Sequence, residues 1–550
     1  MIEEHKIKPC KVGTVRVTRS PGLTLENIKM PSPDDEIPFW ESSITTSDVT
    51  IEAPLSVDKD SDLMHVIHVT AEMAPIAKVG GLGDVVTGLA RACLSRGHTV
   101  DIMLPFYECL PKQQMTEFNL ICTYDSYHDG KWVQTNAYRA VASGIPVILI
   151  EPANQFFKGQ RIYGGSYDEL EAYLFFCRAC LEYMQKPRIV LTIHNMEHYG
   201  ECRKEQFGKS GLDGDVYATT DKAVDDRTIG HNPERLSLLK GGIVYSNAVV
   251  TVSPSYLKET LGSGWLSSIL IKYRDKYNGV LNGIDTSLWN PATDPFLPAK
   301  FDAQSLAGKI ICKEYVQRGL GLPIKSVGSG THVKGKVPLV VCITRLVAQK
   351  GLHLIRHAIK HVEELGGQMV VLGRASNGQV EKEFESLATL HNQGSSIRIL
   401  LIYSEELSHM LYAAADMVLV PSIYEPCGLA QMIGMRYGAE SKDDRIFGGG
   451  LSVLFYYGVL GMVPIVRRTG GLADTVFDMD DKSKHEVSNG FVFEGIDEKS
   501  LSSAMDRAFT FYSDKPDEWQ KLVMKIMQID NSWNNAAGKY ISIYNSVRSH

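Results

Sequence analysis

The chain has 550 residues, of which 44% are hydrophobic and 22% charged, with a net charge of -7 and a pI near 6.2. These proportions are typical of globular proteins, and the length predicts two or three domains. The acidic balance argues against a general nucleic-acid-binding protein. No apolar run approaches the roughly 18 residues that a membrane-spanning helix requires. We therefore expect neither a nucleic-acid partner nor a membrane span.

The first 60 residues form an acidic stretch with little apolar periodicity. Such a composition predicts a loosely ordered extension over residues 1–60. Organelle transit peptides are poor in acidic residues and rich in Arg and Ser. The start of this chain therefore does not have the composition of a transit peptide.

A glycine-rich turn lies between a predicted strand and a predicted helix near the start of the first domain. An apolar run at 65–71 predicts a buried strand, the turn KVGGLGD follows at 78–84, and helical spacing begins at 85. Glycines let a backbone approach a ligand closely, and a helix start offers free N–H groups to an anion. The turn therefore predicts a phosphate or sugar site, with ordinary turn chemistry as the alternative.

Apolar strands and amphipathic helices alternate along two long stretches of the chain. Strands are predicted at 100–106, 147–151, 188–194 and 249–254, and again at 337–343, 368–372, 398–403, 417–421 and 463–466. Such alternation is typical of parallel sheets covered by helices on both faces. A last helical stretch is predicted at 517–547. We therefore predict an α/β fold with two similar layered domains facing across a cleft.

Several predicted strands are followed directly by polar or glycine-rich turns. Arg345 and Lys350 follow the strand at 337–343, and could clamp a diphosphate or simply be two solvated charges. Glu425 follows the strand at 417–421 and could accept hydrogen bonds from a sugar. A further glycine turn at 468–472 follows the strand at 463–466. Because open α/β sheets bind ligands at the carboxyl ends of their strands, these turns predict one shared ligand cleft.

Five motifs in a fixed order resemble the bacterial glycogen synthase and plant starch synthase family, glycosyltransferase family 5. They are KVGGLGDVV at 78–86, LNGID at 281–285, TRLVAQKG at 344–351, PSIYEPCGL at 421–429 and RRTGGLADTV at 467–476. The resemblance covers about residues 64–548, and segments 283–296 and 529–547 look closest to plant soluble starch synthases of classes IV and V.

The resemblance implies the GT-B architecture, in which two Rossmann-like domains face across a cleft. An N-terminal, acceptor-side domain would cover residues 61–300, and a C-terminal, nucleotide-sugar domain would cover 301–520. A C-terminal helix within 521–550 would pack back on the N-terminal domain.

The resemblance also implies a reaction and a cellular location. Glucose would pass from ADP-glucose to the non-reducing end of an α-1,4-glucan, with retention of configuration and without a metal or other cofactor. ADP-glucose would be a substrate. The protein would act in the plastid stroma of chloroplasts or amyloplasts, with starch-granule initiation proteins as possible partners.

Matching positions assign roles to individual residues. Arg345 and Lys350 would hold the diphosphate and stabilise charge on the leaving ADP, Glu425 would bind glucose hydroxyls, and His194 would contact the sugar. These four are the candidate catalytic residues. The candidate donor- and substrate-binding residues are Lys78, Gly80, Gly81, Asp84, Asn195, Cys427, Gly428, Leu429, Thr469, Gly470 and Gly471. The leaving phosphate itself would take the acceptor's proton, so no two-carboxylate acid/base pair is assigned.

The chain departs from the family pattern at two places. The family normally carries about two dozen further residues between the helix that ends near Met184 and the strand at 188. These residues, which include a strand and a His-Asp-Trp motif, are absent here. Losing a strand from the sheet would expose the edges of its neighbours. At 440–461 the chain carries an insertion with an apolar run. These departures motivate a second hypothesis, a non-catalytic synthase-like protein that binds glucan or granule-initiation proteins.

Overall fold

The computed structural model describes residues 28, 30, 59–165, 168–302, 306–324, 337–375, 378–437 and 462–548. The predicted extension over 1–60 therefore falls almost entirely outside the described residues, and the insertion at 440–461 falls wholly outside them. Of the extension, Ile28 and Met30 pack against the core of the C-terminal domain. Within the described ranges, no helix combines the length and the apolar character needed to cross a bilayer.

The N-terminal domain is built on two main sheets. Its strands are β1 (His65–Val69), β2 (Thr99–Pro105), β3 (Met115–His128), β4 (Lys131–Ala142), β5 (Ile145–Pro152), β6 (Val190–Ile193), β7 (Glu201–Arg203), β8 (Arg235–Ser237), β9 (Ala248–Thr251) and β10 (Tyr277–Gly279). One sheet has the order β1-β2-β5-β4-β3, a second has the order β10-β9-β6, and β7 pairs with β8.

The strands predicted for this domain pair in parallel, but the domain also contains an antiparallel hairpin that was not predicted. Strands β1, β2 and β5 pair in parallel, as do β6, β9 and β10. Strands β3 and β4 form a long antiparallel hairpin that continues antiparallel onto β5. Most side chains of β3 are exposed, so this strand lacks the buried apolar run on which the prediction depended.

Helices cover the N-terminal sheets. They are α1 (Gly81–Ser95), α2 (Glu169–Met184), α3 (Lys204–Gly208), α4 (Gly214–Tyr217), α5 (Leu238–Tyr245), α6 (Pro254–Gly262) and α7 (Ser267–Lys272). Helix α1 begins within the glycine turn, four residues before the predicted start at 85, and buries Val85, Val86 and Leu89. Asp84 lies in its first turn, where a negative charge interacts favourably with the helix dipole.

The two main sheets of the N-terminal domain are not joined to each other. Strands β1 and β6 are each the last strand of their sheet, and their side chains are only partly buried. Only residues 185–189 connect α2 to β6. Two of them, Gln185 and Lys186, have φ values of 51° and 58°, a strained backbone conformation for residues other than glycine. At the two sheet edges, Val69 and Ile189 are each 41% exposed. The structure thus has the exposed edges expected from the absent family segment.

The C-terminal domain has one parallel sheet of order β13-β12-β11-β14-β15-β16. Its strands are β11 (Leu339–Ile343), β12 (Gln368–Leu372), β13 (Ile397–Leu400), β14 (Met417–Val420), β15 (Val463–Arg467) and β16 (Phe491–Phe493). The five strands predicted for this half correspond to β11–β15. The order reverses between β11 and β14, and a ligand crevice is expected at the carboxyl ends of these two strands.

Helices also cover the C-terminal sheet. They are α8 (Ala307–Gly319), α9 (Leu352–Glu364), α10 (Gly378–His391), α11 (Glu405–Ala414), α12 (Leu429–Arg436), α13 (Gly470–Thr475), α14 (Glu498–Asp514) and α15 (Pro516–Met527). Helix α15 packs into the core of this domain through Trp519. The predicted domain division at 520/521 falls inside α15, and the domain bounds stay a prediction.

The last helix, α16 (Trp533–Arg548), packs against the N-terminal domain. The indole of Trp533 lies so close to Gly88 of α1 that a Cβ at position 88 would come within 2.1 Å of the ring. The hydroxyl of Tyr540 donates to Asn282 Oδ1 at 2.8 Å. Trp533 and Tyr540 therefore fix α16 to the N-terminal core by close packing and by a buried hydrogen bond.

Replacing Trp533 should destabilise the N-terminal domain. We expect Trp533→Ala to lower its free energy of unfolding by about 3–5 kcal/mol, because the variant leaves a cavity over Gly88. The control is Trp132→Ala, since Trp132 is 64% exposed and should contribute less than about 0.5 kcal/mol. Urea denaturation followed by circular dichroism measures both, and equal effects would contradict the packing of α16.

Candidate active site

A cavity of about 890 Å³ lies between the two domains, at the carboxyl ends of their strands. Most of the predicted site residues line it. They are Lys78, Gly80, Gly81, Asp84, His194, Asn195, Arg345, Lys350, Glu425, Cys427, Gly428 and Leu429. The side chains and glycines from four separate strand ends thus meet in one cleft, whereas Thr469, Gly470 and Gly471 are not part of the lining.

The segment after β11 brings two cations to the cleft. Lys350 Nζ lies 2.5 Å from Glu425 Oε2, which also accepts a hydrogen bond from Ser422 Oγ at 2.7 Å. Gly351 has a φ of 71° and lies against the carbonyl of Pro421, at a distance that excludes a Cβ. Arg345 is exposed in the cleft and has no ion-pair partner among the described residues. Its guanidinium is therefore available to an anionic ligand.

The turn that carries Glu425 is supported from behind by the second glycine motif. The N–H of Gly471 donates to the carbonyl of Glu425 at 3.0 Å, and a Cβ at position 471 would lie 1.8 Å from the carbonyl of Cys427. Gly428, with a φ of 82°, then starts α12. Glycine is needed at 428 for this conformation and at 471 for close approach.

Thr469 and Gly470 contact a carboxylate of the other domain. The N–H of Gly470 donates to Glu259 Oε1 at 2.7 Å, and Thr469 Oγ1 donates to the same atom at 3.3 Å. Glu259 belongs to α6. The backbone and hydroxyl groups that we expected to bind phosphate are thus bonded to Glu259, and a contact with the donor stays a prediction for them.

Lys78 is held between two carboxylates. Its Nζ lies 2.9 Å from Asp84 Oδ1 and 2.7 Å from Glu405 Oε1, and its side chain is only 9% exposed. Burial alone would lower the pKa of Lys78, but the charges of Asp84 and Glu405 raise it, so the ammonium stays protonated. Burial raises the pKa of the Asp84 carboxyl, against the opposing effect of Lys78.

The N–H groups of the glycine turn bind a carboxylate of the protein itself. Those of Val79 and Gly80 donate to Glu72 Oε2 at 2.9 and 2.8 Å, and the hydroxyl of Tyr163 donates to Glu72 Oε1 at 2.9 Å. A Cβ at Gly81 would lie 2.9 Å from the side chain of Leu429 across the cleft. Gly81 therefore lies at a close contact between the two domains, whereas a Cβ at position 80 would meet no atom within 4 Å. For both glycines, contact with a donor stays a prediction.

His194 and Asn195 follow β6 on the N-terminal side of the cleft. Burial lowers the pKa of His194 to about 4, so its ring is neutral near pH 7 and can both donate and accept a hydrogen bond. Asn195 Nδ2 is 3.4 Å from Gln349 Oε1 of the other domain. Burial raises the pKa of Cys427 to about 12, so its thiol stays protonated. No described group of three or more His, Cys, Asp or Glu side chains could hold a metal ion.

Several residues of the cleft were not predicted from the sequence, notably Glu72, Glu405 and Tyr403. Tyr403 is 57% exposed and offers an aromatic face to a planar base or a sugar ring. Glu72 follows the predicted strand at 65–71, and Glu405 follows the one at 398–403. The same strand-end argument that identified Glu425 would therefore have found both carboxylates.

The lowered pKa of His194 predicts a pH-dependent stability. The pKa of His194 in the folded protein lies below its ordinary value of 6.5. The contribution of His194 to the free energy of unfolding is therefore fully present above pH 6.5 and is lost as the pH falls towards 4. We expect His194→Gln to lose less unfolding free energy than the wild type between pH 6.5 and 4.5. Asn195→Ala, a neighbouring change without a titrating group, should leave that pH dependence unchanged. Parallel pH profiles for His194→Gln and the wild type in urea denaturation would contradict the prediction.

Two family models match the chain. The model "Starch synthase catalytic domain" matches residues 65–187 and 183–270, and the model "Glycosyl transferases group 1" matches residues 330–438. The two parts of the first match meet at 183–187, where the connection from α2 to β6 is short and the N-terminal sheet is divided. The family pattern and this chain therefore diverge at that point.

Similar proteins include plant and bacterial enzymes. The chain is 39% identical to the probable starch synthase 4, chloroplastic/amyloplastic, of Arabidopsis thaliana, over 88% of this chain and 47% of that protein. It thus spans about half of that plant relative. The identity is 36% to a glycogen synthase of Protochlamydia amoebophila, over 88% of this chain and 99% of that protein.

A solved structure has the same fold. The catalytic domain of starch synthase IV from Arabidopsis thaliana, bound to ADP and acarbose, matches with a TM-score of 0.79 and 38% identity, over 89% of this chain and all of that one. The predicted GT-B architecture, with two Rossmann-like domains, is thereby confirmed. Since the match to the bacterial glycogen synthase extends along nearly that whole protein, the chain belongs to the starch and glycogen synthase family.

Proposed function

We propose that the protein is a starch synthase, which transfers glucose from ADP-glucose to the non-reducing end of an α-1,4-glucan with retention of configuration. One observation carries the proposal: cationic, carboxylate and imidazole groups from both domains converge on one cavity. These groups are Lys78, His194, Arg345, Lys350 and Glu425. Membership of the starch and glycogen synthase family supports a sugar nucleotide and a glucan as the substrates.

In the proposed reaction, Arg345 and Lys350 bind the diphosphate of the donor. The planar guanidinium of Arg345 gives two parallel hydrogen bonds to phosphate oxygens, and the ammonium of Lys350 adds a movable charge. Both cations are in place before the bond between glucose and ADP breaks. They therefore stabilise the negative charge that develops on the leaving diphosphate, without a reorganisation cost.

Glu425 would orient the transferred glucose. Lys350 and Ser422 both bind Oε2 of this carboxylate, and Oε1 has no hydrogen bond among the described residues. Oε1 can thus accept hydrogen bonds from sugar hydroxyls. The neutral ring of His194 can bind a further hydroxyl from the opposite wall of the cleft.

The proposed transfer uses the leaving phosphate as the base. The bond between the anomeric carbon and the phosphate oxygen breaks, the acceptor hydroxyl bonds to that carbon on the same face, and its proton passes to a phosphate oxygen. Glu425 is fixed by Lys350, and Asp84 by Lys78. Neither carboxylate is assigned as a general acid or base, and we propose no metal or other cofactor.

The location and the partners are also proposals. The names of the plant relatives, which are chloroplastic/amyloplastic starch synthases, support a plastid location. Starch-granule initiation proteins remain proposed partners. The rival hypothesis of a non-catalytic glucan- or protein-binding factor is motivated by the divided N-terminal sheet, and the comparisons do not favour it.

Incorporation of labelled glucose from ADP-glucose into a glucan primer tests the proposal, with UDP-glucose in parallel. We expect Lys350→Ala to lower incorporation by about 100-fold or more, because it removes charge stabilisation of the leaving group. The matched control is Lys360→Ala, an exposed lysine of the adjacent helix α9, which should retain full activity. A metal chelator should not reduce incorporation.

Absence of incorporation from wild-type protein that is shown to be folded would contradict the proposal. If that protein still bound glucan, the non-catalytic alternative would be favoured. Incorporation that Lys350→Ala leaves unchanged would show that the transfer does not occur in this cleft.

A further inference from the structure

Several contacts join the two domains across the cleft, and their chemistry differs from place to place. On one side, α6 hydrogen-bonds to the segments around α13: Ser253 Oγ donates to the carbonyl of Pro426 at 2.7 Å, and Ser255 bonds to Asp474. At the glycine turn the contact is instead the ion pair of Lys78 with Glu405. Within the described ranges, no other lysine or arginine ion pair joins the domain of β1–β10 to that of β11–β16.

Glu405 is held in a fixed position. It is the first residue of α11, whose N-terminal end carries the positive pole of the helix dipole, and Ser404 caps this end through its contact with the N–H of Leu407. One turn later, His409 Nδ1 lies 2.7 Å from Asp294 Oδ2, with both side chains fully buried. At the other end of α11, Lys309 Nζ donates to the carbonyl of Ala413 at 2.7 Å.

We propose that Glu405 is a positioning residue for the transfer reaction, which places the ammonium of Lys78 at the donor side of the cleft. This inference rests on the proposed function. An ammonium has three N–H donors. Lys78 donates one of them to Glu405 Oε1 at 2.7 Å, and Asp84 Oδ1 lies 2.9 Å from the ammonium as its ion-pair partner. The ammonium therefore still has an N–H to donate to an oxygen of the substrate. Glu405 thereby links the position of Lys78 to the approach of the two domains.

Without Glu405, the ammonium of Lys78 would be tied only to Asp84, a residue of its own domain. The flexible four-carbon stem would then follow the N-terminal domain, and the domains would lose their charged contact at this side of the cleft. Because the contact exists before the transfer and persists during it, its loss should raise the KM for the donor more than it lowers kcat.

A double-mutant cycle with Lys78 tests the positioning role. We expect Glu405→Ala to raise the KM for ADP-glucose about tenfold, because the loss of a hydrogen bond to a charged group has an effect of about this size. In a Lys78→Ala background the same change should alter KM by less than about twofold, because Glu405 acts through Lys78. Glu405→Gln, which keeps the hydrogen-bond acceptor, should lie between Glu405→Ala and the wild type. The control is Glu406→Ala, an exposed change in the same helical turn.

Two further measurements do not depend on catalysis. In calorimetric titration with ADP, the affinities of the variants should follow the same pattern as their KM values. In small-angle X-ray scattering of the ligand-free protein, Glu405→Ala should give a larger radius of gyration than Glu406→Ala. Equal effects of Glu405→Ala in both backgrounds, an unchanged or higher affinity for ADP, or identical scattering would overturn the inference. If wild-type protein transfers no glucose, the proposed function fails, while binding and scattering still decide the role of Glu405.

Discussion

Two of the three predicted donor-binding cations, Lys78 and Lys350, are paired with carboxylates of the protein, and the rest of the site depends on this pairing. A partly buried charge is costly unless it has a partner, because the surrounding protein solvates it poorly. Lys78 lies between Asp84 and Glu405, and Lys350 lies against Glu425. Arg345 is the predicted donor-binding cation for which the described residues offer no carboxylate. An incoming diphosphate can therefore bind Arg345 directly, but it must share the two lysines with carboxylates.

The two walls of the cleft are supported to different degrees. Arg345 and Lys350 follow β11 and Glu425 follows β14, and both are inner strands with almost wholly buried side chains. His194 follows β6, an edge strand whose side chains are only partly buried. The wall formed by the C-terminal domain therefore rests on a continuous sheet. The wall formed by the N-terminal domain rests on a strand with one neighbour, at the place where the family pattern is interrupted.

The sequence indicated those features that depend on local patterns. Polar residues directly after apolar strands located Arg345, Lys350 and Glu425, because the carboxyl ends of parallel strands meet at one edge of a sheet. The glycine motif at 468–472 has the same local pattern, yet its glycines pack behind Glu425. Which side of such a turn faces the ligand depends on the packing of neighbouring segments, and no local pattern reveals it.

Other features were missed because they arise only from tertiary contacts. The partner of Lys78 is Glu405, 327 positions further along the chain, and a single sequence does not show such a pairing. The β3–β4 hairpin was missed because its residues are mostly exposed on β3 and have no continuous apolar run. Strand prediction from buried runs favours inner parallel strands, so an exposed hairpin at the edge of the sheet is the kind of element it overlooks.

A crystal structure of the protein with ADP tests most directly whether this cleft binds a sugar nucleotide. We expect phosphate oxygens within about 2.7–3.2 Å of the Arg345 guanidinium and of Lys350 Nζ, the normal range for hydrogen bonds. ADP bound elsewhere on the protein, or bound in the cleft with its phosphates away from both cations, would contradict it.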